Sequence, residues 1–407
     1  MKDNRTVFSS AEILLPAFHS DSEKMRRWAT IACDQFTSQP EYWEKCRETV
    51  GDSPSTLGFI MPEAYLGTEL EKAHKTEIMS NMKNFSKEDY CSVDGLVYLK
   101  RYLSCGVRRG LVGKIDLEDY SYVPGEECRV RPTEKTVVER IPPRVEIRKE
   151  ASCELPHILV LCDDKAGVFD EAEALAAGEE PLYDFDLMLG GGHITGYGIT
   201  GGKLPGLLGK IALNEEMNRG LPYAVGDGNH SLAAAKAHWE NIKKERGVDD
   251  GPARYVLCEI TPLMSGAIEF EPIYRLIKNC SALDLKRSIL ENAEIAEGPD
   301  TVRFVSDSDD FSFRFSKQTH PLVLGTLQNF IDSYLEDGKG AVCDYIHGLD
   351  TVLELAKKPG SAALICGGIG KEDLFGYVEK NGVLPRKTFS MGHAESKRYY
   401  LEMRSIT

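Results

Sequence analysis

Hydrophobic and polar positions follow two periods along this chain, and the two periods predict strands and helices in succession. The runs LPHILVLCDD (155–164) and ARYVLCEITPL (253–263) are apolar enough for buried strands. The run TELEKAHKTEIMSNMKNF (68–85) instead has apolar positions at helical spacing. LVYLKRYLSCG (96–106) and RRGLVGKIDLEDY (108–120) alternate and are predicted to pair. This succession predicts an α/β fold with mixed α+β layers.

The length and the changes of texture predict three regions. A chain of 407 residues exceeds one ordinary domain. We predict an N-terminal α/β region over 1–105 and a central region over 106–282. A C-terminal α/β region over 283–407 follows, in which TVRFVS and DFSFRFS form a hairpin between helices.

Three further stretches each predict a particular local structure. Residues 186–206 hold eight glycines and are predicted to form a mobile or tightly turning loop. IEFEPIYRLIKN (268–279) is predicted to enter a helix. SMGHAESKRYYLE (390–402) is predicted to lead into a C-terminal helix through a small residue, a glycine and a histidine.

Composition narrows the class of protein. Hydrophobic residues make up 42% of the chain and the formal net charge is −15. A surface this acidic argues against nucleic acid as a partner. No apolar run approaches the 18 or so residues that a membrane span needs, and no secretory signal is evident, so we predict a cytoplasmic protein. The eleven cysteines are scattered without a C-x-x-C pair, which predicts reduced, mostly buried thiols; no metal site is assigned.

The strongest candidate for chemistry is VGDGNHSLAAAKAHWE (225–240), a predicted strand-to-helix turn. Gly226 and Gly228 allow positive φ and close approach of a ligand, and the helix N-terminus favours an anion. Asn229 and Ser231 can donate to phosphate oxygens. His230 can donate or act as a base, and Asp227 can hold a metal or take a proton. The alternative is a structural turn, in which Asp227 or Asn229 caps the helix and His230 is buried.

A basic segment, RPTEKTVVERIPPR (131–144), is the candidate source of positive charge. It offers Lys135, Arg140 and Arg144, together with Thr133, Glu134 and Thr136. The alternative is a solvated charged helix.

Two weaker candidates lie further along the chain. Glu269 and Glu271 share one face if extended and could bind Mg²⁺ or activate a hydroxyl, but an ion pair with Arg275 explains them equally well. The C-terminal stretch offers a second anion site or, alternatively, a docked helix. Its candidate residues are Lys387, Ser390, His393, Lys397 and Arg398.

The turn resembles the phosphate-binding box of the ParB/sulfiredoxin superfamily, in which a strand is followed by D-G-N/H-H-R-x-x-A-A at a helix start. That superfamily includes ParB-type partition proteins, sulfiredoxins and a free-serine kinase, and its loop and helix N-terminus hold nucleotide phosphates. The chain also resembles the family of unknown function numbered 1015. Eight stretches in order carry that resemblance: ACDQFTSQPEYW, FIMPEAYL, GLVGKIDLEDY, RPTEKTVVERIPPR, HILVLCDD, GDGNHSLAAA, EFEPIYRL and LPRKTFSMGHAESKRYYLE. The family box usually reads D-G-H-H-R-Y, so Ser231 replaces an arginine that would bind phosphate bidentately.

The resemblance implies a ParB/sulfiredoxin-like central region and a small-molecule phosphate ligand, ATP or another nucleotide with Mg²⁺. It implies a phosphotransferase acting on a small hydroxylated metabolite, with Asp227, His230 and Glu134 as catalytic candidates. The phosphate-binding candidates are Gly226, Gly228, Asn229, Ser231, Lys135, Thr136, Arg140 and Arg144. Two alternatives stay open: a ParB-like module in which a nucleotide switches a partner interaction, and a member that binds no phosphate.

Overall fold

The computed structural model describes residues 5–336 and 340–407, and the chain separates into two compact units. The first unit runs up to Ile268 and resumes with His393–Thr407. The second unit comprises Glu269–Gly392. The fold is mixed α/β, as the sequence predicts.

The helices and strands have the following bounds. The helices are α1 Ser22–Trp28, α2 Pro40–Val50, α3 Leu70–Lys83, α4 Ile141–Lys149, α5 Val168–Ala176, α6 Leu204–Met217, α7 Asn229–Arg246, α8 Ala282–Asn292, α9 Val323–Glu336, α10 Leu349–Ala356 and α11 Lys371–Asn381. The strands of the first unit are β1 Phe8–Ser9, β2 Ala11–Pro16, β3 Thr30–Ile31, β4 Tyr90–Leu103, β5 Gly106–Asp116, β6 Val130–Pro132, β7 Cys153–Glu154, β8 Leu159–Cys162, β9 Tyr183–Asp186, β10 His193–Thr200, β11 Tyr223–Asp227 and β12 Tyr255–Pro262. The second unit adds β13 Phe270–Lys278, β14 Ala293–Ile295, β15 Val302–Val305, β16 Asp310–Phe315, β17 Val342–His347, β18 Ser361–Ile365 and β19 Phe389–Met391, and the chain ends with β20 Tyr399–Tyr400 and β21 Arg404–Ser405 in the first unit.

The first unit is organised around a mixed sheet in the order β6-β11-β8-β12-β5-β4-β10-β9. Strands β1 and β2 pair with β5 and β4 at the side of this path. The pairs β6–β11 and β8–β12 are parallel, and the other pairs are antiparallel. The predicted pairing of 96–106 with 108–120 is confirmed. The boundary predicted between residues 105 and 106 falls in the turn between β4 and β5, so both sides contribute to one sheet.

Both faces of this sheet are buried, and β4 illustrates why. Leu96 and Tyr98 point into one apolar cluster, whereas Val97 and Leu99 point into another. Because successive residues of a strand face opposite sides, a run of apolar residues predicts burial on both faces. Helices α1, α2 and α3 contribute to the cluster around Val97, and α5, α6 and α7 to the cluster around Tyr98.

The prediction of a loop over the glycine-rich stretch 186–206 is wrong for its centre, which forms β10 between β4 and β9. The physical reason is steric. A Cβ atom on Gly196 would lie 2.2 Å from the ring of Tyr183 on the adjacent strand. Glycine therefore makes room for an aromatic neighbour inside a sheet, where composition suggested a flexible turn.

The predicted C-terminal helix is also absent from 390–402. Tyr399 and Tyr400 instead form β20 and pair with β3, and Met403 exchanges backbone hydrogen bonds of 2.8 and 2.9 Å with Leu14. The buried side chain of Arg398 donates to Glu259 at 2.9 Å and to Glu402 at 2.7 Å. These contacts hold the segment extended within the first unit.

The second unit contains a sheet in the order β14-β16-β15-β18-β13-β17, with β19 paired to β13. The predicted β15–β16 hairpin is confirmed. The prediction that IEFEPIYRLIKN enters a helix is wrong, because this stretch forms β13 between β17 and β18.

Two further expectations can be compared with the structure. All eleven cysteines are free thiols, and Cys105 is the exposed one among them. None of the helices in the described residues combines the length and the hydrophobicity needed to cross a bilayer.

Candidate functional site

The turn singled out in the sequence joins β11 to α7, as predicted. Gly228 precedes the helix at φ +79° and ψ +23°, which is the left-handed region that glycine adopts without a steric penalty. A Cβ atom there would lie 2.9 Å from Cα of Ile158. Gly226 occupies an irregularity in the pairing of β11 with β8. Both glycines of the GDGNHS stretch (226–231) therefore have a structural role.

The segment that contains Thr133, Lys135 and Thr136 lies directly beside this turn. Strand β6 runs parallel to β11, so both strands end on the same edge of the sheet. Oγ1 of Thr133 donates to the carbonyl of Val225 at 2.8 Å, and the Val137 N–H donates to Nε2 of His230 at 3.2 Å. His230 thus uses Nε2 as an acceptor that ties this segment to α7.

Two buried polar atoms at the turn have no hydrogen-bond partner among the described residues. They are Oγ1 of Thr136 and Oδ1 of Asn229. Thr136 is only 4% exposed. The first turn of α7 adds N–H groups without an acceptor inside the helix, because the Leu232 N–H donates to the Gly228 carbonyl that precedes the helix and Gly228 offers no capping side chain. Buried unpaired donors and acceptors are costly, so these two atoms call for a partner that the described residues do not supply.

A cation and an anion meet at the same turn. Nζ of Lys397 lies 3.3 Å from Oδ2 of Asp227, and the two side chains are 12% and 15% exposed. Oδ1 of Asp227 accepts from the Gly228 N–H at 2.9 Å. Lys397 comes from the C-terminal segment, so two predicted candidate regions are brought together.

The other basic candidates differ in position. Lys135 and Arg140 are exposed. Arg144 is half-buried and is bound through Nη2 to Oε1 of Glu63. Glu134 is half-buried beside Thr133.

A cavity of about 230 Å³ adjoins the turn and is lined in part by Ser231 and Ile158. Polar groups in its wall come from distant parts of the chain. The Tyr400 hydroxyl lies 2.6 Å from Nδ1 of His157 and donates to the Cys33 sulfur at 3.1 Å. Burial raises the pKa of the Cys33 thiol to about 12, so the thiol is protonated and uncharged at neutral pH.

Asp34 lies next to this polar group. Burial raises the pKa of its carboxyl, but the interactions with His157 and Lys397 and a 3.0 Å hydrogen bond from Gln35 together hold that pKa below its ordinary value. Asp34 is therefore ionised at neutral pH. Lys397 links the two carboxylates, since it interacts with Asp34 and pairs with Asp227.

Five secondary candidates belong to the second unit and are described with it. Glu269 precedes β13, Glu271 lies within it, and Lys387 adopts φ +55°. Ser390 donates to the carbonyl of Gly392 at 3.1 Å. Arg275 is 1% exposed and donates to Gln328 and to the carbonyls of Ile273 and Arg386, which is the environment of a structural residue.

Three C-terminal candidates belong to the first unit. The side chain of Lys397 reaches the turn, whereas Arg398 forms buried ion pairs with Glu259 and Glu402. His393 precedes a short 3₁₀ turn. The sequence interpretation missed Asp34, His157 and Tyr400 as site residues. The sequence contains one weak indication of these residues: each lies within a stretch that carries the resemblance to the family of unknown function.

The chain belongs to the family described as "Protein of unknown function (DUF1015)", whose model matches residues 15–355. The resemblance to this family seen in the sequence is thus confirmed. No curated protein gave a match to the sequence.

Several solved structures are similar to this chain. A mutant free serine kinase in complex with ADP has 13% identity and a TM-score of 0.40, covering 71% of this chain and 91% of that one. A conserved hypothetical protein from Pyrococcus furiosus has 13% identity and a TM-score of 0.34, covering 71% and 90%. A C-terminally truncated SbnI from Staphylococcus aureus has 8% identity and a TM-score of 0.36, covering 72% and 81%. Identities and TM-scores this low transfer no residue role to this chain.

Proposed function

We propose that the β11–α7 turn binds the phosphate groups of a nucleotide and that the protein transfers phosphate to a small hydroxylated compound. The observation that carries the proposal is the unpartnered Oγ1 of Thr136, which is buried beside the N-terminus of α7. A threonine hydroxyl can donate to a phosphate oxygen, and so can the N–H groups of the first helical turn. The same few residues thus supply several hydrogen-bond donors.

Charge at the turn supports this proposal. Lys397 is positioned to exchange part of its pairing with Asp227 for a phosphate oxygen, and α7 contributes the positive end of an 18-residue helix. Lys135 and Arg140 are exposed on the adjoining segment, where they can fold over outer phosphates. The missing family arginine at Ser231 is compensated in this proposal by Lys397.

The Asn229 carboxamide adds a requirement of its own. Its unpartnered Oδ1 is an acceptor, so it calls for a hydrogen donor on the ligand. Ribose and acceptor hydroxyl groups are such donors, whereas a bare phosphate dianion is not. This favours a nucleotide over inorganic phosphate.

The donor set also suits Mg²⁺, which binds proteins through one or two carboxylates together with substrate phosphates. Asp227 would hold the ion, which would neutralise charge on the phosphates. Among the described residues, no group of three or more His, Cys, Asp or Glu side chains is arranged to hold a metal by itself. A metal that arrives with the nucleotide agrees with that arrangement.

In the proposed transfer, the acceptor hydroxyl oxygen forms a bond to the terminal phosphorus of a nucleoside triphosphate. The bond from that phosphorus to the bridging oxygen breaks, and the nucleoside diphosphate leaves with the electron pair. Asp34 is ionised and is the candidate acceptor of the hydroxyl proton. A carboxylate of low pKa serves the same purpose in protein kinases, where positioning and charge neutralisation supply most of the catalysis.

Two threonines allow the site to be tested apart from the fold. Thr136→Val removes the unpartnered hydroxyl, so the free energy of unfolding should stay the same or rise slightly. The affinity for ADP, measured by calorimetry with and without Mg²⁺, should fall about fivefold to tenfold, equivalent to about 1 kcal/mol.

Thr133→Val is the matched control, because that hydroxyl is already bonded to the Val225 carbonyl. It should lower the free energy of unfolding by about 1 kcal/mol. Equal ADP affinity in wild type and Thr136→Val would refute the proposed phosphate position. ADP binding without any phosphate transfer would identify a nucleotide-responsive binding module instead of an enzyme.

A further inference from the structure

The cavity beside Ser231 has mainly apolar walls. Its volume is about 230 Å³, and six of the side chains that form these walls are Met61, Leu66, Met82, Pro143, Ile147 and Val256. An apolar cavity of about 150 Å³ is enough to bind benzene. This cavity therefore accommodates a ring or a short branched chain with one additional polar group.

The charged residues around the cavity are engaged in ion pairs with one another. Arg144 binds Glu63, and Arg148 binds Glu154. Glu154 also accepts from Arg404 at 2.9 Å and from the Leu257 N–H at 2.8 Å. A charged ligand would have to compete with these partly buried pairs, and displacing one partner of such a pair is costly because the other partner is left uncompensated.

Hydrogen-bonding groups are concentrated on the side of the cavity that adjoins the phosphate turn. Ser231 lies in the first turn of α7, and His157 immediately precedes Ile158, the residue that packs against Gly228. The Tyr400 hydroxyl and the protonated Cys33 thiol complete this side. One hydroxyl group of a ligand would find both donors and acceptors here.

We infer that this cavity binds a small, uncharged, mainly apolar alcohol, with its hydroxyl toward the α7 turn and its apolar part against Ile147 and Met61. As a statement about the phosphate acceptor, this inference rests on the proposed function. The binding itself depends only on the cavity. The cavity thus selects against zwitterionic and anionic hydroxyl compounds.

Benzyl alcohol is the probe, with benzoate and L-serine as the charged comparisons, and binding is measured by calorimetry and ligand-observed NMR. Benzyl alcohol should bind wild-type protein at least tenfold more tightly than either comparison. Ile147→Asp places a charge on the wall and should weaken benzyl alcohol binding at least tenfold. Leu66→Asp should have the same effect, and Leu66 is 52% exposed, so this second variant tests the wall without a buried substitution.

Met79→Asp is the matched control, because Met79 is an exposed helical residue outside the cavity wall. It should leave benzyl alcohol binding unchanged. The inference is overturned if benzyl alcohol does not bind, if L-serine or benzoate binds more tightly, or if both wall variants bind it as wild type does.

ADP binding, measured on the same samples, separates this inference from the proposed function. One outcome is that the wild-type protein binds benzyl alcohol, both wall variants lose this binding, and no ADP binds. That outcome would support the cavity inference and refute the proposed function. ADP binding without benzyl alcohol binding would refute the cavity inference alone.

Discussion

Lys397 and Asp227 approach each other to 3.3 Å from two separate segments of the first unit, one from the C-terminal segment and the other from the end of β11. Their side chains are mostly withdrawn from solvent. Because β20 pairs with β3 just beyond Lys397, the C-terminal segment is fixed where it delivers a cation to the turn. The last residues of the chain thus belong to the candidate site.

Lys397→Met should weaken ADP binding about tenfold or more, since a hydrogen bond to a charged group contributes about 1.5–3 kcal/mol. It should also lower the melting temperature, because Asp227 loses its partner. Lys236→Met is the matched control: Lys236 pairs with Glu240 at 2.8 Å on α7 and is 16% exposed. An equal loss of ADP affinity in both variants, measured by calorimetry, would argue against a specific contribution of Lys397.

Gly228→Ala should destabilise the protein by about 1–3 kcal/mol in a urea titration, because the residue adopts φ +79° and a Cβ atom would collide with Ile158. Gly209→Ala is the comparison. Gly209 lies in α6, and a Cβ atom there would meet open space. The Gly209→Ala substitution should therefore stabilise the protein by up to about 1 kcal/mol. Unchanged stability of Gly228→Ala would contradict the described turn.

Asp34→Asn should leave ADP affinity within about twofold of wild type and slow phosphate transfer by about a hundredfold, the usual contribution of a positioned proton acceptor. The measurement is ³¹P NMR of ATP, Mg²⁺ and benzyl alcohol, which follows ADP and phosphate ester together. Asp163→Asn is the control, because Asp163 pairs with Lys165 on the surface. Equal transfer rates in Asp34→Asn and wild type would remove Asp34 from the reaction.

His238 should make stability depend on pH. Its pKa is lowered to about 4 by burial and by the nearby Arg148 and Lys149. The unfolded chain therefore binds this proton more readily, so the contribution of His238 to stability is complete above about pH 6.5 and is lost as the pH falls toward 4. Denaturant titrations from pH 7 to 4 should show a smaller loss in His238→Gln.

His193 provides a contrast in sign. Burial lowers the pKa of His193, but the hydrogen bonds with Asp186 and Asp184 together raise it by more, so the pKa lies above its ordinary value. Its contribution is present at low pH and is lost as the pH rises through the folded-state pKa. His193→Gln should therefore leave the loss of stability between pH 7 and 4 unchanged. If wild type and His238→Gln lose the same stability over that range, groups other than His238 cause the loss.

The turn itself could be predicted from sequence because its signals are local. The apolar residues 223–225 favour a strand, glycine permits the left-handed conformation at Gly228, and the alanine-rich run favours a helix. The proximity of residues 133–136 to this turn depends on the parallel pairing of β6 with β11. No periodicity in either segment specifies that pairing.

The remaining parts of the site depend on contacts between distant segments. Asp34, His157 and Tyr400 come from three separate regions that meet only when β20 pairs with β3. The failure at β10 has a similar origin, since Gly196 is explained by Tyr183 on a neighbouring strand and not by its own flexibility. Local composition does not record which neighbour a glycine faces.

A crystal structure of the protein with ADP and Mg²⁺ tests the central claim most directly. We predict phosphate oxygens within hydrogen-bonding distance of Oγ1 of Thr136, of Nζ of Lys397 and of the first N–H groups of α7. ADP bound elsewhere, or crystals without ADP at concentrations that saturate a millimolar site, would contradict a phosphate-binding role for the β11–α7 turn.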